Sequence, residues 1–82
     1  MQYTYKIMLH KEAEGGFTVN VPALPGCITF GDTVDEAIEM AKDAINLYLE
    51  ELKSRNEIIV DDSNTLEYSL NFQTARIFQP SI

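Results

Sequence analysis

Residues 22–37, Pro-Ala-Leu-Pro-Gly-Cys-Ile-Thr-Phe-Gly-Asp-Thr-Val-Asp-Glu-Ala, limit this chain to very few folds. Pro22 has no amide hydrogen and ends whatever strand precedes it. Pro25-Gly26 specifies a tight turn, because proline presets the first central φ and glycine accepts a positive φ at the second. Cys27 to Gly31 then reads as a short strand antiparallel to the one before the turn. Thr33 to Glu36 fits a reciprocal capping box, in which the Thr33 hydroxyl accepts from the Glu36 amide and the Glu36 carboxylate reaches back to the Thr33 amide. Strand, turn, strand and helix start thus follow within a few turns of chain. Leu24, inside the connection, has two readings: part of a tight turn, or an exposed contact point.

The flanking sequence extends this unit on both sides. Tyr3, Tyr5, Ile7 and Leu9 alternate with Thr4, Lys6, Met8 and His10, a period-two strand. The polar stretch 11–16 ends in Gly15-Gly16. Phe17, Val19 and Val21 then alternate with Thr18 and Asn20, which makes a β-hairpin. After Thr33, the apolar residues Val34, Ala37, Ile38, Ala41, Ile45, Tyr48, Leu49 and Leu52 follow helical spacing. Glu39, Lys42, Asp43, Asn46, Glu50 and Lys53 occupy the opposite face, and Asn56 is a plausible C-cap. Residues 57–65 read as a connection anchored by Ile58-Ile59-Val60. Leu66, Tyr68, Leu70 and Phe72 alternate with Glu67, Ser69, Asn71 and Gln73, which predicts a fourth strand. Residues 74–82, with Ile77-Phe78 and Pro80, read as a tail, a short strand or an exchanged arm.

The expected class is α+β, in the order β-β-β-α-β: a three-stranded antiparallel meander, one long helix on one face and a fourth strand at the sheet edge. Residues 1–73 form one domain and 74–82 a tail or short arm. Met8, Ile28 and Phe30 put apolar atoms on the second face of the sheet, a candidate interface.

The chain is 82 residues long. A domain of this size buries only about 60–65% of the surface its unfolded chain exposes. Small domains compensate with disulfides, metals or association. With one cysteine and one histidine, an internal disulfide and a Cys/His zinc cluster are both excluded. Association is the remaining route, and a homo-oligomer (dimer or tetramer) is expected.

The formal net charge is −7. Such a surface repels phosphate backbones, so direct nucleic-acid binding is not expected, whereas a basic protein would be steered toward it. No run of about 18 apolar residues offers a membrane span. The N-terminus has no signal-peptide pattern, so a cytoplasmic location is expected.

Catalytic constellations are missing. His10 and Cys27, both near strand ends, are a conceivable nucleophile–base pair, with no third group to orient them. Gly15-Gly16 lacks the following residues of a phosphate loop. The first strand carries no acid for a two-metal nuclease, and capping accounts for Asp32, Asp35 and Glu36. The sequence calls for no cofactor and no metal.

Several segments resemble the HicB antitoxin family: Glu14-Gly15-Gly16-Phe17-Thr18-Val19, Pro22-Ala23-Leu24-Pro25-Gly26-Cys27, Gly31-Asp32-Thr33-Val34-Asp35-Glu36-Ala37, and Ala41-Lys42-Asp43-Ala44 with Leu47-Tyr48-Leu49. The resemblance runs from Tyr3 to about Phe72, and its order and spacing are specific. It implies a partial ribonuclease H-like module without catalytic activity. It implies a partner too: a small basic HicA-like toxin of double-stranded-RNA-binding fold that cleaves mRNA and is neutralised by direct binding. Many HicB proteins carry a C-terminal DNA-binding domain; too few residues follow the fourth strand here for that function to be carried over. On this reading Glu39, Asp43 and Glu50 are the expected steering surface, with Leu24 and Phe30 as apolar anchors. Two other classes are open: a stand-alone oligomeric scaffold or regulator using Ile77-Phe78, and a vestigial nuclease dependent on Asp32.

Overall fold

A computed structural model of the protein describes residues 2–74. Three antiparallel strands, β1 (Met8–Lys11), β2 (Phe17–Asn20) and β3 (Ile28–Gly31), precede one helix, α1 (Val34–Ser54). The sheet order is β1-β2-β3. Leu9 lies opposite Val19, and Val19 opposite Thr29. The class is therefore α+β with the expected meander and helix.

The hairpin between β1 and β2 closes with Glu12 N–H donating to Gly16 O and Gly15 N–H donating to Glu12 O. Gly15 and Gly16 both have positive φ. The second turn forms as its prolines and glycine dictate. Cys27 N–H donates to Leu24 O at 2.9 Å, and Gly26 sits at φ 82. The Tyr48 hydroxyl donates to Pro25 O at 2.7 Å, which ties the turn to the middle of α1.

Thr33 caps α1: its hydroxyl accepts from Glu36 N–H at 3.1 Å. The Glu36 carboxylate accepts from the Asp32 amide, one residue further back than a reciprocal box requires. At the other end Asn56 takes φ 57. Its N–H donates to Lys53 O, and Glu57 N–H donates to Leu52 O. That pair of bonds is a Schellman ending, with Asn56 in the left-handed position just past the cap.

The core divides into two clusters between sheet and helix. Val19 packs with Ala37 and Ala41, supported by Ile7, Leu9 and Phe17. Val21, Leu24 and Cys27 pack with Tyr5, Ala44, Ile45, Tyr48, Leu49 and Leu52. Small residues bring the two layers close. A Cβ added to Gly31 would lie 2.5 Å from Ala37 Cα and 2.9 Å from Ala37 Cβ.

The expected fourth strand is the main departure. No strand follows α1 among the described residues; 66–73 pair with none of the three strands. The reason lies in the ladder. Glu12 N–H points at β2, so even-numbered residues of this strand aim their backbone groups to that side. Carried backward, the register sets Lys6 opposite Pro22, where β2 has turned away. The connection fills that vacancy. Asp62 N–H donates to Thr4 O at 2.8 Å, and the Lys6 and Thr4 amides donate to the carboxylates of Asp62 and Asp61. From Met8 onward the same side is occupied by β2, so the chain must leave the sheet. It does so at a turn in which Thr65 N–H donates to Asp62 O. The apolar alternation of residues 66–72 marks a strand face but does not supply a ladder partner. The reading of 74–82 as tail or arm lies, apart from Thr74, outside the described residues.

The Tyr5 hydroxyl donates to Val60 O at 2.6 Å and completes this attachment. Partial burial, followed by the nearby Asp61, pushes the Tyr5 hydroxyl pKa up. The Thr4 amide, then the Ser63 hydroxyl and amide, hold the Asp61 carboxyl below its usual value of 3.8.

Two outcomes are expected. Gly31→Ala should destabilise the domain by about 1–3 kcal/mol, because the contact to be relieved is backbone rather than a flexible side-chain tip. Thermal unfolding followed by circular dichroism should show a fall of roughly 4–8 °C per kcal/mol; an unchanged midpoint would contradict the close packing. Because the Asp61 pKa is depressed on folding, its contribution is present above its usual value and drains away as pH falls through the folded value. Protection of the Thr4 amide against hydrogen exchange should therefore hold down to the ordinary carboxyl value of 3.8 and drop only below it, and Asp61→Asn should remove that step.

Candidate partner-binding surface

The residues singled out in the sequence do not form one surface. Leu24 is 1% exposed and packs with Val21 and Cys27, so the reading of it as a surface anchor is corrected: the turn tucks it beneath α1. Phe30 is 47% exposed. It lies opposite Thr18, on the face of the sheet away from the core residues Val19 and Ala37. Glu39, Asp43 and Glu50 are exposed on α1, across the sheet from Phe30. Their spacing of four and seven residues places them in one outward stripe.

The three acids differ in their surroundings. Lys42 Nζ approaches Glu39 at 3.0 Å, an exposed pair that leaves little bare charge there. Among the described residues no ion pair engages Asp43 or Glu50. Glu51 is held by Arg55 at 2.8 Å.

Two residues outside the predicted set belong to this surface. Leu47 is 69% exposed and Met40 is also exposed. At helical spacing they lie beside Asp43 and Glu50, outside the apolar stripe that faces the sheet. A wheel projection carries the signal, because both fall more than about 100° from the centre of the buried stripe, a position where a solvated helix has polar residues. The result is two exposed apolar side chains beside two acids that have no ion pair among the described residues.

The possible Cys27/His10 pair is not assembled. His10 lies opposite Thr18 and shares the side of Phe30, whereas Cys27 is buried on the helix side. Burial pushes the Cys27 thiol pKa up, which disfavours the nucleophilic thiolate. No group of three or more metal-ligating side chains occurs among the described residues. No helix among them is long and apolar enough to cross a membrane.

Comparison with known proteins gives the family. A family model described as HicB_like antitoxin of bacterial toxin-antitoxin system matches residues 5–76. A UPF0150 protein of Thermoplasma acidophilum is 48% identical over 59 residues, 72% of this chain and 86% of its own. A UPF0150 protein of Synechocystis is 42% identical over 55 residues, 67% of this chain and 70% of its own. Antitoxin HicB of Escherichia coli K12 is 38% identical over 55 residues, 67% of this chain but only 40% of that antitoxin. The match includes the meander, the Pro-Gly turn and the whole of α1, and on that ground the chain belongs to the HicB-like antitoxin family of bacterial toxin–antitoxin systems.

Proposed function

We propose that this protein is an antitoxin that neutralises a small basic, mRNA-cleaving HicA-like toxin in the cytoplasm by direct binding, as a binder rather than a catalyst. The observation that carries the reading is the family match over residues 5–76. The acidic outer stripe of α1 supports it, because a basic partner is drawn to such a surface from a distance and slowed in leaving by apolar contact. Asp43 and Glu50, free of ion pairs among the described residues, steer; Glu39 contributes less, being held by Lys42. Leu47 and Met40 form the centre that seals against the toxin. Leu24 serves the same site indirectly, by seating the turn that Tyr48 grips. Phe30 belongs to a different face and has no part in this contact.

A second reading, a stand-alone oligomeric regulator without a toxin, draws on the uncovered segment 66–73. The two readings differ in whether a toxin is bound at all. The deciding experiment is co-expression with a small basic protein encoded beside this chain, followed by an RNA cleavage assay. The antitoxin reading expects a stable complex and loss of cleavage; toxin activity unaffected by a molar excess of this chain would rule it out.

Charge reversal tests the surface. Asp43→Lys with Glu50→Lys should slow association by about tenfold at low salt and flatten its salt dependence, with a smaller effect on dissociation. Leu47→Asp should do the opposite, speeding dissociation by at least about tenfold while association changes little. Stopped-flow or surface-based kinetics separate the two. Rates unchanged in both variants would move the toxin site off α1.

A further inference from the structure

β3 is an edge strand, and its outer side is bare. Val21 N–H donates to Cys27 O, which turns the main-chain groups of Cys27, Thr29 and Gly31 toward β2 and those of Ile28 and Phe30 outward. Among the described residues no hydrogen bond reaches the N–H or C=O of Ile28 or Phe30. The next outward group, the Asp32 amide, is closed off by the Glu36 carboxylate. Edge strands are commonly blunted by lysine, proline or a bulge. Ile28-Thr29-Phe30-Gly31 has none of these.

α1 lies along this strand and overhangs it. Ala37 meets Gly31 at one end, and Tyr48 reaches Pro25 at the other. From Ala37 to Tyr48 the helix rises about 16 Å, close to the roughly 20 Å that extended chain spans from Pro25 to Gly31. The two flanks of the helix differ. Lys42, Ile45 and Asn46 line a groove with Tyr3 and Tyr5, so that flank looks toward β1. Lys53 returns to the same flank three turns on. Glu36 bonds the outward amide of Asp32, so its flank looks over the free edge of β3. Met40, Asp43, Leu47 and Glu50 follow Glu36 at spacings of four and three and share that flank. Both bases of α1, Lys42 and Lys53, stand on the other side.

We propose that the free edge of β3 takes up an extended segment of a basic partner protein, which adds to the sheet beneath the Met40–Leu47 flank of α1. The identity of that partner rests on the antitoxin reading; the edge adds how it is held. Ile28 and Phe30 exchange main-chain hydrogen bonds with the segment. Successive side chains of a strand point to opposite faces, so every second one meets α1. Apolar ones meet Met40 and Leu47, and basic ones meet Asp43 and Glu50. Phe30 gives only its main chain, because its ring lies against Gly16 on the far face.

Charge and width select the occupant. Two copies joined edge to edge would set Asp43 and Glu50 of each α1 against the same acids of the other, with no base on either flank. They would also crowd their helices, since a helix needs about 10 Å of width and neighbouring strands lie about 4.8 Å apart. The same acids repel a phosphate backbone. A strand with lysine or arginine at alternate positions, and no helix above it, meets none of these obstacles.

Amide hydrogen exchange of the full chain, free and with the small basic protein encoded beside it, tests the contact. Exchange at Ile28 and Phe30 should slow at least about tenfold on binding. Ile28→Pro removes one outward donor where proline is tolerated, since that N–H has no partner in the sheet. It should weaken binding at least about tenfold with circular dichroism unchanged. A complex that abolishes RNA cleavage while both amides exchange as in the free chain overturns the proposal and leaves the antitoxin reading standing. A folded Ile28→Pro variant that binds as the wild type does also overturns it. Failure of that protein to bind sinks the antitoxin reading instead. A blocked peptide of about ten alternating lysine and valine residues at about 1 mM then decides the edge: slowed exchange at the two amides supports it, and unchanged exchange overturns it.

Discussion

The close approach of α1 to β3 governs everything else in this domain. Gly31 and Ala37 meet almost backbone to backbone, and Ala41 extends the contact one turn on. Only small residues permit that distance. With the helix N-terminus set there, Thr33 must turn the chain at once, and its cap on the Glu36 amide makes the turn a helix start. The rest of α1 then runs across the sheet, and Tyr48 meets the Pro25 carbonyl. Leu24 is trapped between the two. A chain without large apolar residues at its closest crossing gains little hydrophobic energy there. What it gains is geometry, which lets the larger residues farther along the helix reach the second cluster.

Most of this was legible in the residues. Pro25-Gly26 gave its turn, the glycines of the hairpin took positive φ, and the capping threonine and the Asn56 ending fell where local chemistry demands. Each depends on interactions within a few residues, which sequence patterns report well. The fourth strand was not legible, because alternation describes only the strand's own faces. Whether a ladder position is free depends on where β2 ends and where Asp61 and Asp62 attach, and those contacts span more than fifty residues.

The surface was partly legible for the same reason. The acids of α1 are a simple consequence of helical spacing. That Phe30 and those acids lie on opposite sides follows from register, which pairs Phe30 with Thr18. Leu24 illustrates the limit most sharply: a leucine inside a proline-glycine turn looks like a loop tip, yet it is among the most buried side chains of the domain. Met40 and Leu47 were hidden in a helix already rich in apolar residues, and only their angle on the wheel sets them apart from the core stripe.

The Asp61–Asp62 attachment has a further consequence for the lifetime of the molecule. Four hydrogen bonds, from Thr4, Tyr5 and Lys6 to the connection and from the connection to Thr4, hold the chain after α1 to the sheet. Beyond them residues 66–73 belong to no helix or strand and expose Leu66, Tyr68, Leu70 and Phe72, the kind of segment that proteolytic enzymes accept as a substrate. A cut there leaves the meander, α1 and these four bonds in place.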